Sequence, residues 1–389
     1  MKHVLFMSLG LVCLATIIGS AQGSGAPPGH VQNGKQLFEQ ATFGGNGRTC
    51  QTCHSQSTGT VSPEDAQKRF LKDPNDPLFK HDGSDDGLGH GATRMLTDAT
   101  VLMTIPLASN VSLADDPIAR TVVLHRGIPT TLNTPALDTV LMLDGRQPSL
   151  ESQATGAIVE HAQGVAPPMA DLHAIAEVQK TNGFFSSPAV RRFALEKAPA
   201  PGLPLGTTES EKRGRRFFED VPPDLSAGLK PGLCSHCHSG PLLNTTNEFA
   251  QFFIPSPAPI PAGQRFLSVG VSEFNSARNP VREFVFDKGT PKEVRLSSPD
   301  PGRALITGVA NDFDKGIIND PTLEHTNAFK ILPLRGIRHS APYFHDNSAK
   351  TLEDVAHHYA NFFFVATGGL IQLTPQDEQD IVAFLKLLD

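Results

Sequence analysis

Two pentapeptides constrain this chain more than anything else in it. Cys50-Gln51-Thr52-Cys53-His54 and Cys234-Ser235-His236-Cys237-His238 both read C-x-x-C-H. The chain has five cysteines, and the fifth, Cys13, lies in an N-terminal apolar run. This spacing is that of a c-type haem attachment site. Two thiols add across the two haem vinyl groups, and the next residue sets its imidazole under the iron. The motifs therefore predict two covalently bound haem c groups, one on Cys50, Cys53 and His54, the other on Cys234, Cys237 and His238. A split zinc site could use two C-x-x-C pairs, but it has no need of a histidine directly after each. Redox-active pairs sit in a thioredoxin-like βαβ context, and no such pattern surrounds these.

Covalent attachment suits an exported protein, and the N-terminus agrees. Met1-Lys2-His3 precedes an apolar run from Val4 to Ile18, followed by Gly19-Ser20-Ala21. A charged start, a short apolar core and small residues form a secretory signal. Cleavage near Ala21 and a periplasmic protein are expected. The run is too short for a membrane span of ~20 residues. A 39% hydrophobic content over 389 residues supports ordinary globular cores. The formal net charge of −7 leaves no basic excess for phosphates and argues against nucleic acid as a partner.

The segments leading into the two motifs are alike. Gly34-Lys35-Gln36-Leu37-Phe38-Glu39-Gln40 and Gly214-Arg215-Arg216-Phe217-Phe218-Glu219-Asp220 share one pattern, G-[KR]-x-[LF]-F-E-[QD]. A repeat of this kind implies two related units, each a helix running into a haem-binding turn. Ala198-Pro199-Ala200-Pro201-Gly202-Leu203-Pro204 is a proline-rich connector between them. The expected organisation is a signal peptide over 1–23, an N-terminal haem domain over 24–205 and a C-terminal haem domain over 206–389. Thr374, Pro375 and Asp377 predict a capped C-terminal helix with Ile381, Phe384, Leu385 and Leu388 as its apolar stripe. Leu352 to Phe362 reads as a second helix. Segments 78–94 and 253–263 read as loops, and strand alternation is scarce apart from Phe284-Val285-Phe286. The fold class expected is mainly α with long loops.

Further stretches carry a resemblance. They are Arg126 to Asn133 (RGIPTTLN), Asp144-Gly145-Arg146 followed by Ser149 to Ala154 (SLESQA), Leu334-Arg335 with Ser340 to Asp346 (SAPYFHD), and Thr351 to Val355 (TLEDV). In this order, with two C-x-x-C-H sites, the chain resembles the bacterial di-haem cytochrome c peroxidases and their MauG-type relatives. The resemblance implies two cytochrome c-like domains facing each other, with a calcium ion between the haems. It implies an N-terminal haem that meets hydrogen peroxide and a C-terminal haem that relays electrons from a small redox protein, a cytochrome c or a copper protein. The family often forms homodimers.

The resemblance also assigns ligands. The family fills the sixth position of the C-terminal haem with methionine or, in MauG-type proteins, tyrosine. No methionine follows Met169, and Tyr359 lies 19 residues after Ser340, where that ligand falls. Tyr359 is the expected ligand, with His357 and His358 as neighbouring rivals. His81, His90 and His125 are candidates at the N-terminal haem, as is an open iron. Asn133, with the carbonyls of Ser340 and Pro342, is the implied calcium set, and hard oxygen donors suit that ion.

Two positions depart from the family. Its proton-transferring glutamate falls ten residues after the glutamine matched by Gln153, where this chain has Gln163; an amide takes no proton at neutral pH. Glu160 and His161 are nearby substitutes. The family's inter-haem tryptophan is replaced by Leu143, and the chain contains no tryptophan. Three functions remain in view: peroxide reduction, electron carriage by two six-coordinate haems, and MauG-like oxidation of a partner, against which Leu143 counts.

Overall fold

The computed structural model describes residues 28–252, 260–274, 278–289, 293–310 and 325–389. The expected signal peptide and its cleavage site lie outside these residues, as does most of the 253–263 segment. Among the described residues no helix is long and apolar enough to cross a membrane.

The repeated G-[KR]-x-[LF]-F-E pattern does the same work in both halves. In the first, helix Pro28–Gln40 crosses helix Met169–Thr181. In the second, helix Glu209–Arg216 crosses the C-terminal helix Pro375–Leu385. Each repeat glycine sits at the crossing. A Cβ on Gly34 would stand 2.0 Å from the carbonyl oxygen of Ala174, and one on Gly214 would stand 1.9 Å from that of Asp380. Only glycine lets the backbones meet this closely. Four residues on, one helical turn along the same face, Phe38 and Phe218 are buried. Phe38 meets Phe185 edge-on at 5.0 Å, and Phe218 packs on Phe384 at 5.1 Å.

The cap read from the sequence is present. The Thr374 hydroxyl accepts from the Asp377 amide, and the Asp377 carboxylate returns to the Thr374 amide at 2.7 Å. Helix Leu352–Ala366 is capped in the same way by Thr351 and Asp354 and runs four residues past its expected end at Phe362.

Among the described residues 34% are helical and 12% are in strands, so helix predominates over strand as expected. The strands, however, exceed the expected ones. Strands Thr100–Pro106 and Thr121–Gly127 pair antiparallel over their full length, with Leu102 opposite His125. A second sheet joins Val111–Leu113 to Arg282–Phe286 and then Val294–Ser298. This sheet matters for the domain organisation. Phe284, Phe286, Val294 and Leu305 share one apolar core with Val61, Met95, Ile105 and Leu124. The packing carries residues 282–289 and 293–310 into the core of the first half, across the boundary expected near residue 205. A second core, around Phe217, Phe218, Val355 and Phe384, belongs to the C-terminal half alone.

The crossing points give a direct test. Gly34→Ala and Gly214→Ala should each destabilise the holoprotein by about 1–3 kcal/mol, the usual cost of overpacking a filled contact. Guanidinium unfolding would report this as a lower midpoint at unchanged slope. Wild-type midpoints for both would show that the helices can separate freely.

Candidate haem sites

Each C-x-x-C-H motif opens onto its own cavity. Cys50, Cys53 and His54 line the first, which encloses about 1450 Å³. Cys237 and His238 line the second, of about 1130 Å³. Leu143, Lys330 and the segment 127–130 line both and form the wall between them.

The two histidines are held alike. His54 Nδ1 donates to the carbonyl oxygen of Gly59 at 2.8 Å, and His238 Nδ1 donates to that of Leu243 at 2.9 Å. In both cases the acceptor lies five residues downstream. A ring whose Nδ1–H is engaged presents its bare Nε2, the arrangement of a ligating histidine with an outer-shell partner. Burial pushes both imidazoles down, His238 to about 4, so both rings are neutral and able to donate a lone pair. The four cysteines are free thiols. Burial pushes Cys50 and Cys237 up to about 12 and raises Cys53 and Cys234 too. Zinc would require thiolates. Among the described residues, no group of three or more His, Cys, Asp or Glu is arranged to hold a metal ion. Room, paired thiols and a free imidazole nitrogen fit a covalently attached haem in each cavity.

One helix face forms much of the first cavity. Helix Leu150–Gly156, capped by Ser149, continues into a wider π turn over Ala157–His161. Gln153, Ala157 and His161 recur along it and all line the cavity. Glu160 falls on the outer side and is exposed; its carbonyl accepts from His81 Nε2 at 3.1 Å. Gln163 follows with a positive φ of 54° and is also exposed, its side chain accepting from Asn46 Nδ2 at 3.3 Å. Of the four expected catalytic residues the fold thus brings Gln153 and His161 to the cavity and turns Glu160 and Gln163 away from it. The π turn is the physical reason. It delays the helical register, so that the position ten residues after Gln153 falls beyond the helix.

His161 does not stand alone. Its Nδ1 meets Asp82 Oδ2 in a short hydrogen bond, and Asp82 Oδ1 accepts from Arg48 Nη1. Burial pushes the Asp82 carboxyl up, but the His161 hydrogen bond and the Arg48 charge outweigh it and hold it below the usual range. Arg48 also donates to the carbonyl oxygens of Pro77 at 2.8 Å and His161 at 3.1 Å. None of the three loop or strand histidines lines this cavity. His81 is tied to Gly87 and Glu160. His90 pairs with Asp86 at 2.6 Å on the surface. The backbone of His125 is bracketed by Asn279.

In the second cavity Tyr359 is on the wall, and burial pushes its phenol up. The two rivals are engaged elsewhere. His357 is exposed and pairs with Glu378 at 3.5 Å, and His358 Nε2 donates to the Val269 carbonyl at 2.8 Å. Ser340 and Pro342 also line this cavity. Asn133 is buried with its carboxamide already used: Oδ1 accepts from the Ser187 amide at 2.8 Å, and Nδ2 donates to the Arg335 carbonyl at 3.0 Å. That amide joins two loops through these bonds.

The wall is tightly built. Lys330 donates its amide to Leu143 at 2.8 Å and its Nζ to Asp138 and Val140, each at 2.8 Å. Burial pushes Lys330 down, while Asp138 opposes this. Sequence reading passed over Asp82, Arg48 and Lys330. Their roles come from contacts 34 to 192 residues away along the chain.

The two cavities, each beside a C-x-x-C-H motif, share a common wall. Residues 28–188 match the family model described as di-haem cytochrome c peroxidase. Cytochrome c551 peroxidase of Nitrosomonas europaea is 25% identical over 279 residues, covering 67% of this chain and 64% of that protein. The chain thus spans just under two thirds of that relative's length. Among solved structures, a MauG-like protein associated with microbial copper homeostasis aligns over 93% of this chain and 88% of its own, at 18% identity and a TM-score of 0.48. The diheme peroxidase BthA of Burkholderia thailandensis aligns over 93% and 86%, at 14% identity and a TM-score of 0.46. The family match covers residues 28–188, so it is the first half of the chain that resembles the di-haem cytochrome c peroxidases.

The two sites should load independently. The double variants Cys50→Ala/Cys53→Ala and Cys234→Ala/Cys237→Ala should each carry one haem per chain. A pyridine haemochrome assay would then give half the wild-type haem. Full loading of either variant would rule out its motif as an attachment site.

Proposed function

We propose that this chain is a periplasmic di-haem peroxidase that reduces hydrogen peroxide with electrons from a small redox protein, a cytochrome c or a copper protein. Cys50, Cys53 and His54 would hold the peroxide-facing haem, and Cys234, Cys237, His238 and Tyr359 the relay haem. When bound, these groups supply the peroxide-binding iron and the electron store. The observation that carries the reading is the contrast between the cavities. The first has Gln153 and a carboxylate-backed His161 on one helix face. The second has a phenol in that neighbourhood.

The residues of the first cavity suffice for the proton work. The Asp82 carboxylate accepts from His161 Nδ1, so a neutral His161 has a bare Nε2. That nitrogen takes the proton from one peroxide oxygen and returns it to the other, which leaves as water when the O–O bond breaks. Two electrons from the donor and two protons from solvent complete the reduction to two waters. Gln153 orients the oxidant, its amide offering both a donor and an acceptor. The apolar side chains around them, Ile158 and Leu150 among them, keep bulk water from competing.

MauG-like oxidation of a partner is the weaker reading because of the wall. Leu143 lines both cavities and offers no aromatic ring between them.

Stopped-flow mixing of the fully reduced holoprotein with hydrogen peroxide should show rapid reoxidation of both haems, with two electrons consumed per peroxide. A rate no better than that of free haem would reject the peroxidase reading. Tyr359→Phe should change the electron paramagnetic resonance signal of one ferric haem only. An unaltered spectrum would remove Tyr359 as its ligand.

A further inference from the structure

The proton-handling histidine proposed above has a support that the sequence did not disclose. Asp82 sits in the short turn His81–Gly83, 79 residues from His161 in sequence, and is 5% exposed. One of its oxygens accepts from His161 Nδ1, and the other accepts from Arg48 Nη1. Arg48, 2% exposed, binds the backbone carbonyl of His161 at 3.1 Å as well. The same guanidinium donates to the carbonyls of Pro77, Leu78 and Lys80. It therefore fixes the turn that carries Asp82 and the backbone that carries the imidazole.

The turn is packed with little freedom. A Cβ on Gly83 would stand 1.9 Å from the Leu78 carbonyl oxygen and 2.5 Å from Arg48 Nη2. On the other side of Asp82, His81 adopts a left-handed φ of 45° and reaches the carbonyl of Glu160 at 3.1 Å. Two consecutive residues of this turn thus grip two consecutive residues of the π turn.

We propose that Asp82 is a positioning residue for His161. It accepts the Nδ1 proton and aims the bare Nε2 into the first cavity, and Arg48 holds the carboxylate in place. This rests on the peroxidase reading for its physiological purpose, but not for its chemistry. The dyad should accept a proton from any weak acid HX whose anion becomes the sixth ligand of the haem on His54. Hydrogen cyanide is such an acid: its proton goes to Nε2, the carbon binds iron, and nothing is oxidised or reduced.

The experiment uses the ferric holoprotein, with cyanide association followed by the visible spectrum and peroxide reaction measured in parallel. His161→Gln keeps the Arg48–Asp82 pair and should slow both reactions about 100-fold, within the range of a lost general base. Asp82→Asn removes the charge and should slow both roughly 10–100-fold, as loss of an outer-shell partner does. Asp82→Glu retains a charge against Arg48, so it tests the position of the carboxylate should the Asn variant fail to fold. It should slow both reactions to a similar extent. Combining Asp82→Glu with His161→Gln should add nothing further. Haem content and the ferric spectrum should stay at wild type throughout. Cyanide association at the wild-type rate in His161→Gln, or in the folded Asp82 variants, would overturn the proposal. A wild-type protein that takes cyanide rapidly, with the expected loss in the variants, yet leaves peroxide untouched would keep the dyad and reject the peroxidase.

Discussion

The buried guanidinium of Arg126 holds the structure together where the two cavities meet. It is 1% exposed, and two carboxylates neutralise it. Asp300 grips it twice, at 2.7 and 2.8 Å, and Asp144 once, at 2.5 Å. Its charge in turn holds the buried carboxyl of Asp144 below the ordinary range, against the upward push of burial. These three residues come from distant parts of the chain, and Asp144 directly follows the wall residue Leu143. A single buried ion pair is weak evidence for stability, because desolvation offsets attraction, but breaking one leaves an uncompensated charge at about 3–5 kcal/mol. The arrangement therefore acts chiefly as a specificity device. Any packing that shifts 300 relative to 126 exposes a charge to the core. The segment carrying Asp300 returns to meet Arg126, and it follows the strand Val294–Ser298, whose Val294 lies in the core of the first half. Phe329 lies between this charge and the neighbouring His345 ring, under the guanidinium at 5.5 Å and stacked on the imidazole at 3.5 Å.

What the sequence made legible was whatever its chemistry writes locally. The C-x-x-C-H motifs predicted two attachment sites, and each motif lies at a cavity of its own. The two glycine-led repeats predicted two equivalent helices, and Gly34 and Gly214 do sit at equivalent crossings. Thr374 with Asp377 is a local cap and was readable as such, whereas the matching cap of Thr351 with Asp354 was not read. The strand pair over residues 100–106 and 121–127 was less visible because its buried faces are interrupted. Met103 and Ile105 are buried, but Pro106 ends one strand and Arg126 is a charge facing inward on the other. The merger of the two halves through Phe284 and Phe286 was invisible, since no local pattern states which sheet a strand joins. The site shows the same division. Gln153 was proposed from the family resemblance, with Glu160 and His161 as equal substitutes for the acid that Gln163 replaces. The π turn decided between them, and its wider register has no signature in a short run such as Ala-Ile-Val-Glu-His.

That turn also bears on how the proposed proton transfer tolerates the loss of a glutamate. A carboxylate placed directly on an apolar cavity wall has its charged form disfavoured by burial, so its affinity for a proton rises. In this chain the acid is set one step back. Asp82 is kept ionised by Arg48 and the imidazole, while the group facing the cavity is the half-buried ring of His161. The carboxylate fixes the tautomer, and the imidazole meets the proton, a division of labour that recurs wherever a His–Asp pair serves a buried reaction. The amide at Gln163 then ceases to be a defect. It lies outside the cavity, bonded to Asn46, where a glutamate would have no proton to move. In the proposed transfer Gln163 takes no part, and the proton work falls to His161 backed by Asp82.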